Sequence, residues 1–103
     1  MDRIAKLQEF LQTNPTDSFV KHALALEYIK TGDDTTARHI FEEILTNDPG
    51  YVGSYYHLAK LLERVGDTNT AIAWYEKGME AARKAGDHHA LGELRSAYED
   101  LVF

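Results

Sequence analysis

Apolar residues recur along the chain at the spacing of an α-helix. Between residues 17 and 31, Val20, Leu24 and Tyr28 follow one another at intervals of four, which places them on one helical face. Comparable stripes recur in the later segments, and no run alternates in the way a β-strand does. The pattern predicts six helices, over residues 2–13, 17–31, 35–47, 51–65, 68–85 and 88–102.

Turn residues separate these stripes. Gly32 and Gly86 stand where the preceding stripes stop, as expected for glycine just after a helix. Asp33 and Asp87 follow them and supply the side-chain oxygen that an N-cap needs. Pro49 breaks the chain between the third and fourth predicted helices.

The chain repeats itself with a period of 34 residues. Within one 34-residue window, eight identical pairs are separated by that offset: Pro15/Pro49, Leu24/Leu58, Ala25/Ala59, Gly32/Gly66, Asp33/Asp67, Thr36/Thr70, Ala37/Ala71 and Glu42/Glu76. The alignment extends backward, so the first helix corresponds to the second half of a repeat. We therefore expect one domain over residues 1–103, divided into a half-repeat helix (1–14), repeat 1 (15–48), repeat 2 (49–85) and a C-terminal capping helix (86–103).

The repeat resembles the tetratricopeptide repeat, whose pattern is W-x₂-L-G-x₂-Y, then A-x₃-F, then P. The first unit has Lys21, Leu24, Ala25, Tyr28, Ala37, Phe41 and Pro49 at these positions. The second has Tyr55, Leu58, Ala59, Leu62, Ala71, Tyr75 and Arg83. The departures are Lys21 in the aromatic position and Arg83 in place of the second proline. The resemblance implies an all-α fold, a right-handed α-α superhelix of about six antiparallel helices.

The repeated positions also have a direct physical meaning. Ala25 and Ala59 are small, which allows two helices to approach closely. Phe41 and Tyr75 are the large residues expected to fill the space between repeats. Since one repeat cannot bury its apolar face alone, stacking of repeats is expected to form the core.

Charge and composition narrow the class of partner. The net charge of −6 disfavours nucleic acid and anionic membrane surfaces, which attract basic proteins. Cysteine is absent, which excludes disulfides and thiolate metal sites. The first residues show no signal peptide, and no apolar run is long enough to span a bilayer. We expect a cytoplasmic protein with no nucleic-acid or membrane partner.

Residues that could carry catalysis are scarce. His89 and Glu93 lie one helical turn apart, but a catalytic zinc site normally has three protein ligands. Nucleophile, phosphate-binding and dinucleotide motifs are missing. Paired carboxylates such as Glu42 and Glu43 fall on polar helix sides. We therefore expect no enzyme activity, no catalytic residue, no metal ligand and no cofactor.

The remaining prediction is a protein-interaction module. The resemblance implies that the first helix of each repeat lines a concave groove, which binds a peptide or protein segment. The groove residues are Phe19, His22, Leu26, Ile29, Tyr56, Lys60, Glu63 and Arg64. An apolar anchor is expected near Phe19, Leu26 and Tyr56, and a partner carboxylate near Lys60 and Arg64. The clamp with which some family members grip a C-terminal carboxylate is not expected, because His22 and Leu26 replace its Lys and Asn.

The alternative is a self-associating scaffold piece. The helices at residues 2–13 and 88–102 lack a pair-mate in the repeat pattern, so one molecule's end could contact another's start. Both helices carry polar outer faces, as terminal capping units require. We expect a monomer or at most a weak dimer.

Overall fold

A computed structural model describes residues 2–103, and this part of the chain consists of α-helices joined by short turns, without strands. The helices are α1 (Arg3–Thr13), α2 (Ser18–Lys30), α3 (Asp34–Asn47), α4 (Gly53–Arg64), α5 (Thr68–Ala85) and α6 (His88–Val102). The all-α prediction is confirmed, and the predicted helix ends agree with these bounds to within two residues. None of the described helices has the length and apolar character needed to cross a membrane.

Aspartate side chains begin most of the helices. In four of them the carboxylate accepts a hydrogen bond from the backbone N–H three residues later, which satisfies a donor that the helix leaves unpaired. These N-cap residues are Asp2, Asp17, Asp33 and Asp87. At the other end of α5, Gly86 has a φ of 69°, a left-handed conformation that glycine adopts without steric cost.

The described chain divides into two compact units, the first ending at Asp48 and the second beginning at Pro49. The first unit contains α1, α2 and α3, in which α2 packs against both of the other helices. Its core includes Ala25, Ala37 and Phe41, none of which is exposed to solvent. The two small residues let the helices approach, and the ring of Phe41 on α3 packs against His22 on α2.

The second unit contains α4, α5 and α6, and α5 packs against both of the other helices. Leu58, Ala59 and Tyr75 are completely buried. Gly78 brings α5 close to α4, because a Cβ atom at that position would lie 2.6 Å from the Cβ of Tyr55. In the second unit α4 therefore packs against α5 and also touches α6, while Lys60 and Arg64 on α4 are exposed to solvent.

Lys21, the departure from the aromatic pattern, is accommodated by an ion pair. Its Nζ lies 2.8 Å from Glu43 Oε1 on α3, and its side chain is largely buried. The long methylene stem of lysine packs in the helix interface while its ammonium reaches the surface. The substitution thus keeps the contact between α2 and α3.

Candidate functional site

In the first unit, the predicted groove residues follow one side of α2. Phe19 is 71% exposed, whereas His22, Leu26 and Ile29 are only partly exposed. The imidazole ring of His22 meets the ring of Phe41 edge-on, with 5.5 Å between the ring centroids. Phe19 is therefore the residue of this set that offers most apolar surface to a partner.

In the second unit, the predicted residues Tyr56, Lys60, Glu63 and Arg64 lie on α4, and the first three interact. Lys60 Nζ is 3.6 Å from Glu63 Oε2. The same ammonium lies 5.9 Å from the centroid of the Tyr56 ring, within reach of a cation–π interaction. The ammonium of Lys60 thus already has a carboxylate and an aromatic ring from its own helix.

Tyr75 on α5 also contacts this group of residues, through Glu63. Its hydroxyl donates a hydrogen bond to Glu63 Oε2, although the residue itself is fully buried. Burial, followed by the hydrogen bond to Glu63 and its negative charge, raises the pKa of Tyr75 well above its usual range. The phenol therefore stays protonated and remains a donor to Glu63 at any physiological pH.

Sequence reasoning assigned Tyr75 to the core alone and missed its link to Glu63. The signal lies in the repeat: at the offset of 34, Tyr75 corresponds to Phe41 and Glu63 corresponds to Ile29. An apolar pair in the first unit has become a polar pair in the second. This paired change from apolar to polar residues is the sequence signal that predicts a hydrogen bond between Tyr75 and Glu63.

His57 is the histidine of α4 with a perturbed environment. Burial lowers its pKa, and the negative charge of Glu93 on α6 opposes that effect. Its ring also meets that of Tyr56 edge-on, with centroids 5.7 Å apart. His57 thus lies on α4 near Glu93 of α6 and next to Tyr56. It was not among the residues predicted to bind a partner.

The part of the chain that the structure describes contains no cluster of side chains suited to binding a metal ion. No group of three His, Asp or Glu side chains there is arranged to hold a metal ion. His89 and Glu93, the pair considered from the sequence, are both exposed at the start of α6. The candidate binding features are instead on the surface of each unit. They are the exposed ring of Phe19 on α2 and the cluster of Tyr56, Lys60 and Glu63 on α4.

Comparison with known families identifies the repeat. Models of the tetratricopeptide repeat match residues 20–51 and residues 40–73. Together these segments run through α2, α3 and α4 and into α5. They contain all the motif positions on which the resemblance rests except Tyr75 and Arg83.

Solved structures of similar proteins agree. The solution structure of a tetratricopeptide repeat domain protein from Salinibacter ruber is 43% identical, with a TM-score of 0.82, and the match covers 85% of this chain and 89% of that one. A crystal structure of a Salinibacter ruber tetratricopeptide repeat domain protein is 44% identical, with a TM-score of 0.79, covering 82% and 94%. A Bordetella parapertussis protein is 24% identical with a TM-score of 0.83, covering 98% and 88%, and supports the fold alone.

Curated relatives include the aspartyl/asparaginyl beta-hydroxylases of Mus musculus and Homo sapiens. Each is 26% identical over 81 residues, which is 79% of this chain. The chain matches only 11% of the length of either hydroxylase. The activity in their name belongs to those much longer proteins, and nothing in the match assigns it to this chain.

Proposed function

The chain belongs to the tetratricopeptide repeat family, and we propose that it binds a peptide or protein segment without catalysing a reaction. Repeats of this family are generally protein–protein interaction modules. Stacked helix pairs form extended surfaces on which partners bind. The proposed activity uses only side chains of the chain itself and needs no cofactor.

The observation that supports this proposal most directly is the exposure of Phe19. A phenylalanine that leaves 71% of its surface in water contributes little to the core of its unit. It lies on the same side of α2 as the partly exposed Leu26 and Ile29, in a continuous apolar stripe. Exposed apolar surface of this kind is typical of sites that contact another protein.

We propose that the partner contacts the predicted residues on each unit. In the first unit these are Phe19, His22, Leu26 and Ile29, which supply apolar contact. In the second they are Tyr56, Lys60, Glu63 and Arg64, which supply an aromatic ring and charge. Aromatic residues at the centre of an interface often contribute the largest share of binding energy.

The proposal is tested by affinity capture from the native lysate with matched variants. Partners retained by the wild type should be lost with Phe19→Ser, because serine removes the exposed ring. Val65→Ser is the control, since Val65 is also exposed and apolar but lies outside the predicted set. Recovery of the same partners with Phe19→Ser and the wild type would contradict the assignment of α2.

For a partner identified in this way, Tyr56→Ala should weaken binding by about 1–3 kcal/mol, as expected for a buried aromatic anchor. Isothermal titration calorimetry measures the change. Far-ultraviolet circular dichroism of the variant controls for loss of fold. An unchanged affinity would remove Tyr56 from the binding surface.

A further inference from the structure

The side chain of Lys60 rests between a carboxylate and an aromatic ring. Its Nζ is 3.6 Å from Glu63 Oε2 and 5.9 Å from the centre of the Tyr56 ring. A cation within reach of both a carboxylate and a tyrosine ring is attracted by the negative charge and by the ring quadrupole. Lys60 shows where a cationic group sits on α4.

Glu63 is the most firmly held member of this cluster. Tyr75, which is completely buried, donates its hydroxyl hydrogen to Glu63 Oε2, and the glutamate side chain remains 26% exposed. Lys60 is 44% exposed and is attached through a flexible four-carbon stem. A group that is already immobilised loses less conformational entropy on binding, so Glu63 is the better contact for a partner.

The first unit packs without a polar pair at the positions of Tyr75 and Glu63. The first unit places Phe41 and Ile29 at the same repeat positions, and Phe41 is fully buried there. Replacing both partners of a hydrogen bond by apolar groups of similar shape can be nearly neutral or stabilising. The hydrogen bond therefore points to a role at the surface of α4, where it orients the carboxylate.

We infer that Tyr56 and Glu63, with Tyr75 as the positioning residue, form a seat for an arginine or lysine side chain of the partner, and that Lys60 fills this seat when no partner is bound. This inference rests on the proposed function, because it names the chemistry of the segment that α4 recognises. It differs from the sequence expectation, in which Lys60 and Arg64 receive a partner carboxylate.

Two properties favour a cationic partner. The whole chain carries a net charge of −6, which attracts basic segments and speeds their encounter. A guanidinium can also form two parallel hydrogen bonds to one carboxylate, which Lys60 does not do from its position 3.6 Å away. An incoming arginine thus replaces a weak internal contact with a stronger one.

The test is selection of peptides from a phage-displayed library of random dodecapeptides on the folded chain. The expected consensus contains Arg or Lys next to an apolar residue. For the selected peptide, measured by fluorescence polarisation, Glu63→Gln should weaken binding about tenfold, because a charge-assisted hydrogen bond is lost. Lys60→Met removes the internal cation, and binding should be up to about twofold tighter, given the small energy of such helical ion pairs.

Tyr75→Phe tests the positioning role. The variant should keep its fold, since Phe41 is the residue at the equivalent place in the first unit. Binding should weaken about threefold, as expected for loss of one hydrogen bond that orients Glu63. In the Glu63→Gln background the same change should have no further effect, which distinguishes an effect through Glu63 from a general loss of structure.

The outcomes separate the inference from the proposed function. A consensus rich in Asp or Glu whose binding falls in Lys60→Met overturns the cation seat and leaves the interaction module standing. Selected peptides that bind Glu63→Gln as tightly as wild type also overturn the seat. A library that yields no binder contradicts the proposed function and the seat together.

Discussion

At the scale of the residue, one pair of facing positions is filled differently in the two repeats. A large residue faces a glycine in the second unit, and the first unit has a larger residue in place of that glycine. In the second unit the large Tyr55 on α4 faces Gly78 on α5, where an added Cβ would also lie 3.2 Å from Leu94 Cδ1. In the first unit the same positions hold Lys21 and Ile44. The buried side chain of Ile44 provides in the first unit the apolar volume that the ring of Tyr55 provides in the second. The sizes of the two facing residues are therefore linked.

Gly78→Ala should destabilise the chain. The new methyl group would overlap the Cβ of Tyr55, an atom too close to the backbone to move away cheaply. We expect a net loss of about 1 kcal/mol, since overpacking exceeds the gain in helix propensity, and a fall in Tm of about 4–8 °C. Thermal unfolding followed by circular dichroism measures it.

Gly92→Ala is the matched control for this prediction. Gly92 also lies inside a helix, but nothing stands within 4 Å of the place its Cβ would take. The variant should be more stable by about 0.5–1 kcal/mol, because alanine loses less backbone entropy than glycine. If both variants melt at the same temperature, close approach at Gly78 is not the reason for the glycine.

At the scale of the element, α4 has three distinct surroundings. Leu58, Ala59 and Leu62 are buried, whereas Lys60 and Arg64 are exposed. His57 has an intermediate place, half-buried near Glu93 of α6. The packing of α4 is therefore coupled to the charge of one histidine, because burial favours the neutral imidazole.

Acidification should weaken the second unit through His57. Its pKa in the folded chain is below the ordinary value of 6.5, so the unfolded chain takes up the proton first as the pH falls past that value. Stability is thus lost over the interval between the ordinary value and the lower folded value. Tm measured from pH ~7.5 to pH ~5 should fall less steeply in His57→Gln than in wild type.

His88→Gln is the control for removal of an imidazole, because His88 is exposed at the start of α6. That variant should keep the pH profile of the wild type. A His57→Gln profile parallel to that of the wild type would show that burial of His57 does not influence folding.

At the scale of the whole molecule, charge and exposed side chains bear on association. The exposed residues of the terminal helices are mostly polar, and the net charge of −6 makes copies of the chain repel one another. The main apolar exceptions at the two ends are Phe10, which is partly exposed, and Phe103, which is almost fully exposed. These rings are the contacts on which self-association through the terminal helices would depend.

We predict a monomer at concentrations up to ~100 μM, a range that exposes micromolar association. Multi-angle light scattering at increasing concentration should give a constant mass of 11.7 kDa. A mass that rises with concentration would instead favour the scaffold alternative. Phe103→Ser should then restore the monomer if the end of α6 forms the contact.

Much of the fold follows from short stretches of sequence. The apolar spacing around Val20 and Leu24 predicts α2 because helical periodicity depends only on neighbours within a few residues. Asp33 and Gly86 mark helix ends for the same reason, since caps and left-handed turns are local structures. The repeat then identifies which residues are buried, as Ala25 and Ala59 show.

By itself, the sequence determined the helices, the repeat, the small and large core positions and the charged residues on one side of α4. Only the tertiary structure decided that Phe19 extends into solvent, that His57 is half-buried near Glu93, and that the hydroxyl of Tyr75 reaches Glu63. The reason is physical. Local periodicity states which face of a helix is apolar, whereas a hydrogen bond between α4 and α5 depends on how two separate helices meet, a geometry that all of their packed side chains set together.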